Sequence, residues 1–198
     1  LYQNGAGDYA TPPDDSDEGM AYWSFNQVDS DNRVVEDEWG NHDGVRGTKG
    51  GTDQPSITES GKRGNALEFD GVDDYTEFPI SLDQDDVDDD YTVTGWFNSD
   101  DICQTDQGII GQDNGGFDFF IEASRDTCGE LMFAVGSDVQ VISGGTLKSN
   151  QWYFIGAKLQ GDKVYYSLNG NSWKDSGGSR SNYDASHESI TSVGSISY

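Results

Sequence analysis

Residues 61–79 read GKRGNALEFDGVDDYTEFP, and this stretch decides the fold. It holds a turn, a buried strand, an acidic tight turn and a second strand. Ala66, Leu67 and Phe69 put apolar side chains on the first strand, and Tyr75, Phe78 and Pro79 mark the second strand and its exit. Gly71 sits where the tight turn needs φ > 0, a conformation a β-branched residue would resist. Asp70, Asp73 and Asp74 crowd the same turn. Their carboxylates repel one another unless a cation or dense counterions compensate.

The pattern G-x-x-G-x-A-L-x-F-D-G-x-D-D-Y resembles the laminin-G-like domains of the concanavalin A-like jelly-roll superfamily. The similarity continues along the chain. Ala21-Tyr22-Trp23-Ser24-Phe25-Asn26 resembles the family's opening strand, and residues 37–44 (DEWGNHDG) resemble its D-x-S-G-N-x-x-G loop. Residues 91–97 (YTVTGWF), 151–157 (QWYFIGA) and 164–170 (VYYSLNG) are similar to its later strands. The resemblance spans about residues 19–193. It implies an all-β, two-sheet antiparallel jelly-roll sandwich, a fold that hosts many functions.

Composition agrees with one β-sandwich domain. The 198 residues include 26 Gly, 4 Pro and 12% aromatics, which suits many strands joined by glycine turns. An arm or linker is expected over residues 1–18 and the jelly-roll domain over 19–198. No apolar run is long enough to span a membrane. The net charge is −26, and Asp supplies 28 of the 37 acids. Such charge weakens a compact state at low ionic strength. At molar salt the Debye length falls to about 3 Å and the penalty nearly vanishes. The chain therefore reads as a halophile's protein, and its charge argues against nucleic acid or anionic membranes as partners.

Strands are expected at about 20–26, 64–69, 74–79, 91–98, 108–112, 117–123, 130–135, 138–142, 152–160, 163–168 and 189–197. Residues 85–90 (DDVDDD) read as a solvated charge run, and 174–187 as a polar Gly- and Ser-rich loop. If Ile109-Ile110 run one way and Phe117–Ile121 return, Cys103 and Cys128 meet at one end. A disulfide would then close a 25-residue loop, adding about 3 kcal/mol and implying an oxidising, extracellular setting. Two free thiols or a metal pair are the alternatives. Family members commonly end with a further strand beside the opening one, about where this sequence stops. An edge left open there invites another strand. The arm would fill it in the same chain or in a neighbour; the alternatives are that the boundary is a truncation or that the 189–197 strand closes the sheet.

The leading site is for Ca²⁺, which takes six to eight oxygens from carboxylates and carbonyls. Asp37, Asn41 and Asp43 in one loop, with Asp70 and Asp73 in the acidic turn, supply that mixture. Family members often hold a structural Ca²⁺ near such loops. Chance clustering among so many Asp residues is the bland alternative. Trp39 stands where the family has a small residue; an indole there stacks on a sugar or a partner, or folds back onto the core. Trp173 and Tyr183 are weaker ligand-binding candidates. Trp23, Trp96 and Trp152 read as core or sheet residues.

Catalysis is not expected. The strand-borne carboxylate pairs of jelly-roll glycosidases lack a clear counterpart, although Glu68 and Asp70 alternate correctly for one strand face. His42 and His187 lie in polar loops. The resulting reading is a non-catalytic, extracellular recognition or adhesion module that binds glycans or a surface protein, with Ca²⁺ stiffening its loops. The second reading is a surface filament or layer subunit that self-assembles by strand exchange through the arm.

Overall fold

Three segments, YTVTGWF, YFIGAKLQ and KVYYSL, contain no acid in a chain that has 37. They form the centre of the fold. In the computed structural model the described residues are 21–26, 33–80, 90–104, 107–112, 117–124, 127–135, 138–141, 146–161, 163–179 and 191–193. Every regular element among them is a strand: β1 (Val34–Val35), β2 (Gly44–Arg46), β3 (Ser56–Thr58), β4 (Ala66–Glu68), β5 (Thr76–Phe78), β6 (Tyr91–Phe97) and β7 (Gln107–Gln112). Then follow β8 (Phe117–Ser124), β9 (Thr127–Val135), β10 (Asp138–Val141), β11 (Tyr153–Gln160), β12 (Lys163–Leu168), β13 (Lys174–Ser179) and β14 (Thr191–Val193).

Two sheets make the sandwich. One runs β1-β2-β5-β14-β7-β8-β9-β10, the other β13-β12-β11-β6, with β3-β4 as a separate ribbon. All pairings are antiparallel, as a jelly roll requires. Alternation fixes the register of the smaller sheet. In β11, Tyr153, Ile155, Ala157 and Leu159 point inward and are at most 4% exposed. They meet Tyr91 and Phe97 of β6, Val164 of β12 and Leu131 of β9, with Ile102 and Leu147 from loops. Ile109 and Ile110 of β7 pack against this cluster. Each large side chain so buried contributes about 1.5–3 kcal/mol. The buried Tyr153 hydroxyl accepts the Lys148 amide at 2.9 Å, so its burial strands no polar atom.

A smaller buried group closes the other end. Phe78 (1% exposed) lies against Trp23, with ring centroids 4.1 Å apart, and Val35 (0%) is buried on β1. The 21–26 segment that carries Trp23 resembles an opening strand but is not one. Phe25 has φ 62°, which ends any extended run. Ser24 Oγ accepts the Asn26 amide (3.1 Å), and Asn26 Oδ1 accepts the Asn65 amide (2.9 Å). Short polar side chains thus replace a ladder with a turn.

Other expectations shift in register or role. The strand of the opening stretch, β4, is half-buried rather than buried, and pairs with β3; the acidic turn passes the chain on to β5 in the larger sheet. The strand expected over 189–197 is β14, inside that sheet between β5 and β7. The 174–187 loop begins as strand β13 on the edge of the smaller sheet. β1, β2 and β3 were not expected from sequence. The arm at 1–18, Asp85–Asp89, the turn at 113–116 and Tyr183 lie outside the described residues.

Cys103 and Cys128 form a disulfide, with Cα atoms 4.7 Å apart across a separation of 25 residues. It ties the 101–104 turn to the start of β9. Replacing both cysteines with serine removes about 3 kcal/mol of stability by the chain-entropy estimate for that loop. Urea unfolding of the oxidised wild type against the double variant reads this directly; equal midpoints would contradict it.

Candidate functional site

Two acidic loops carry the candidate site residues, and they are organised separately. The first folds around Asp37, which is 7% exposed. Its Oδ1 accepts the amides of Tyr22 (2.8 Å) and Trp39 (3.0 Å), and its Oδ2 accepts the amide of His42 (3.2 Å). The Asp37 amide donates to Asp43 Oδ1 at 2.9 Å. Burial alone would raise the Asp37 carboxyl, but these three amides and the His42 side chain hold it below its ordinary value of 3.8. His42 Nδ1 lies 3.4 Å from Asp37 Oδ2. The Trp23 indole N–H donates to the His42 carbonyl (2.9 Å), locking this loop to the 21–26 segment. Asp37 and Asp43 therefore serve backbone amides, and Asn41 is exposed.

One oxygen, Asp37 Oδ1, fixes the backbones of both Tyr22 and Trp39. Their rings then meet at 5.3 Å between centroids, tilted by 36°. Tyr22 is 38% exposed and Trp39 half-buried. Trp39 thus packs on a neighbouring surface ring, and the pair presents an aromatic patch beside the loop.

The second loop is the acidic turn. Gly71 has φ 73°, as the turn demands. Asp70 Oδ1 accepts the Val72 amide (2.8 Å), and Asp74 Oδ2 accepts the Asp70 amide (2.8 Å). One carboxylate oxygen each from Asp70, Asp73 and Asp74 lies within 4.8 Å of the others, a set that could hold a metal ion. Asp74 is 6% exposed. Burial first, then the charges of Asp70, Asp73 and Asp53, push its carboxyl up, against the pull of the Asp70 amide. The turn thus carries uncompensated negative charge. All-carboxylate oxygen donors suit a hard cation such as Ca²⁺ or Mg²⁺.

The neighbour of this turn is the 47–53 loop. The Gly47 amide donates to the Tyr75 carbonyl (2.9 Å) and the Tyr75 amide to the Asp53 carbonyl (3.3 Å). Thr52 Oγ1 reaches Asp73 Oδ2 at 3.5 Å. Gln104, next to the disulfide, donates to the Gly71 carbonyl (3.3 Å). The structure brings Asp70 and Asp73 together with Asp74 and places Asp53 nearby, while Asp37, Asn41 and Asp43 form the other cluster. The sequence did not single out Asp74 as a candidate ligand or Asp53 as its neighbour. Asp74 was visible in the D-D-Y triplet; Asp53 had no signal, because its approach depends on the 47–75 pairing.

Trp173 lies elsewhere, on the outer face of the smaller sheet. Its indole Cη2 sits 3.0 Å from where a Cβ on Gly156 would be, so a larger residue there would press on the ring. Trp96, expected in core or sheet, is on β6 and 39% exposed on that same face. Trp152 is half-buried just before β11. Glu68 is exposed on β4, its Oε2 3.4 Å from Ser56 Oγ.

Asp37 sets a pH dependence. A carboxyl held lower in the fold than in the unfolded chain stabilises the fold above its unfolded value, and that contribution is lost as pH falls through the folded value. Asp37→Asn therefore costs about 2 kcal/mol at pH 7, from the charge-assisted bonds. The gap to wild type narrows only below about pH 4. Urea midpoints at pH 7, 5 and 3 check this; a gap that widens toward acid would refute the assignment.

The comparisons with known proteins agree with this architecture. Domain 4 of AbnA, a GH43 extracellular arabinanase from Geobacillus stearothermophilus solved in complex with arabinotriose, superposes with a TM-score of 0.54. The alignment covers 83% of this chain and 79% of that one at 17% identity, a likeness of fold. A search of curated proteins finds no match. The profile of the concanavalin A-like lectin/glucanases superfamily named Laminin_G_3 matches residues 70–195, from the acidic turn through β14, and the chain belongs to that family.

Proposed function

We propose that this protein is a non-catalytic carbohydrate-binding module that works outside the cell and binds a glycan through the Tyr22–Trp39 patch. The observation that carries the reading is the shared acceptor: one buried carboxylate oxygen sets two residues whose rings form a half-exposed pair. Rings whose backbones are fixed in advance lose little freedom on binding, and a half-exposed pair offers a flat apolar surface to a sugar face. Membership of a lectin/glucanase superfamily and the fold shared with an arabinotriose-bound domain support this ligand class. The disulfide is consistent with an oxidising compartment. The non-catalytic part rests on chemistry: Asp70, the candidate partner of Glu68, uses Oδ1 within its own turn.

Arabino-oligosaccharides, including arabinotriose, and a neutral-glycan array are the first probes. Trp39→Ala weakens whatever neutral glycan is found by about tenfold or more, as truncating an aromatic anchor does. Calorimetric titration of wild type and variant decides it; equal affinities would remove the patch from the site.

In this reading Asp70, Asp73 and Asp74 hold a structural Ca²⁺, which supplies the positive charge that the turn lacks and stiffens it. With ionic strength fixed, replacing chelator by Ca²⁺ raises the wild-type melting temperature by several degrees. The rise is largely lost in Asp73→Asn, whose side chain is exposed. A wild type indifferent to Ca²⁺ would refute this assignment while leaving the aromatic patch untouched.

A further inference from the structure

The outer face of the smaller sheet is poor in acids in a chain that has 37. Its four strands contain one acid, Asp175, and that acid is paired with Lys163 at 2.6 Å. Along β11 the outward positions run Phe154, Gly156, Lys158. Trp96 packs on Phe154 with ring centroids 5.2 Å apart. Trp173 covers Gly156. Lys158 places its ammonium 4.9 Å from the Tyr165 ring centroid and 5.3 Å from that of Trp173, and donates to Gln160 Oε1 at 3.0 Å. Lys62, from the loop before β4, stands 5.3 Å over Trp96. The chain has six lysines, and three of them, Lys62, Lys158 and Lys163, serve this face.

The loop after β12 is built to hold this arrangement. The Asn169 amide donates to the Phe154 carbonyl (2.6 Å), and the Phe154 amide donates back to Asn169 Oδ1 (3.1 Å). Ser167 Oγ donates to the Asn171 carbonyl at 2.7 Å. These bonds fold residues 169–173 over the sheet and lay Trp173 across a glycine. From Phe154 to Lys158 the strip is about 13 Å long at strand spacing, enough for a short oligosaccharide.

We infer that this strip is a second binding surface, and that its ligand is a glycan bearing carboxylate groups, of the uronic-acid type. Indole and phenyl faces receive the C–H faces of the sugar rings. The two ammonium groups, fixed over rings by cation–π contacts, pair with the carboxylates at either end. Charge complementarity selects this ligand over a neutral one. In a chain of net charge −26, a sheet face whose one acid is ion-paired and whose rings carry lysines is a place that an anion can approach. The inference shares with the preceding reading the glycan class of ligand and none of its residues.

The test uses the full chain with galacturonate oligomers and their methyl esters, which keep the sugar and remove the charge. About 1 M NaCl screens the overall repulsion to a few ångströms and leaves contact pairs in place. The wild type binds the free acid at least tenfold more tightly than the ester. Trp96→Ala and Lys158→Gln each weaken acid binding by about tenfold. Thr94→Glu, at an exposed outward position beside Trp173, does the same without removing packing. Circular dichroism of each variant separates loss of binding from loss of fold. Equal binding of acid and ester, no binding of either, or affinity indifferent to Lys158→Gln and Thr94→Glu overturns the surface. Acid binding lost in Trp39→Ala but kept in the sheet variants overturns it too, and leaves the first patch standing.

Discussion

Self-repulsion is the constraint on which the rest of this structure depends. With 37 acids against 11 lysines and arginines, side-chain cations cannot neutralise the carboxylates. The fold uses backbone amides instead. Asp37 takes three, Asp70 takes those of Val72 and Asp73, and Asp43, Asp53, Asp74, Asp90, Asp101 and Asp175 take one each. Most of these bonds close local turns, the ordinary use of a short carboxylate. Here they also satisfy charge. An amide carries only a partial positive charge, yet it is fixed by the chain and costs no side-chain entropy to place. That explains why a protein rich in Asp rather than Glu can fold at such charge: the shorter acid reaches its own backbone.

The remaining repulsion is sorted in space. The three strands of the smaller sheet that supply most of the core, β6, β11 and β12, carry no acid on either face, so they bring no negative charge to be desolvated. Among the described residues most acids lie in turns and loops rather than in strands. Two arrangements then arise from the same residue type. Around Asp37 the amides outnumber the carboxylates, and the loop becomes a rigid support for aromatic rings. At the 70–74 turn three carboxylates share few amides, and Asp74 is left with a raised carboxyl. The first loop compensates its charge and the second does so less, which is why the proposed reading assigns the cation to the second.

Much of the architecture is legible in the sequence because it rests on local patterns. Residues 91–97 are legible as a strand through the family resemblance and 164–168 through partial alternation, and the paired Ile109-Ile110 and Phe117–Ile121 runs place Cys103 near Cys128. What was not legible has specific causes. β1, β2 and β3 hold two or three residues each, too few for a period to show. β13, KDSGGS, has no strand-forming side chain and is held by edge pairing and the Lys163–Asp175 pair. The Tyr22–Phe25 segment has strand composition, but Phe25 turns to positive φ where Ser24 and Asn26 offer side-chain bonds. The division of the acidic residues into two clusters depends on which loops pack together, a long-range outcome. Trp96 shows the same limit from the other side: alternation places it on a face but cannot tell which face meets solvent.

Charge also separates the two aromatic surfaces by the ligand each can accept. Beside Trp39 stand Glu36 and Glu38, both exposed. A carboxylate on a sugar bound there would meet two like charges at short range, a penalty that salt reduces but contact distance preserves. That patch is therefore suited to neutral sugar. The sheet face inverts the balance. Its one acid is ion-paired, and Lys62 and Lys158 stand over the rings a sugar would cover. A neutral sugar there must displace or desolvate an ammonium with nothing returned, whereas a carboxylated one supplies the counter-charge. The position of the sheet face follows from β6, β11 and β12, whose freedom from acids serves the core on one side and leaves Trp96 and Lys158 on the other.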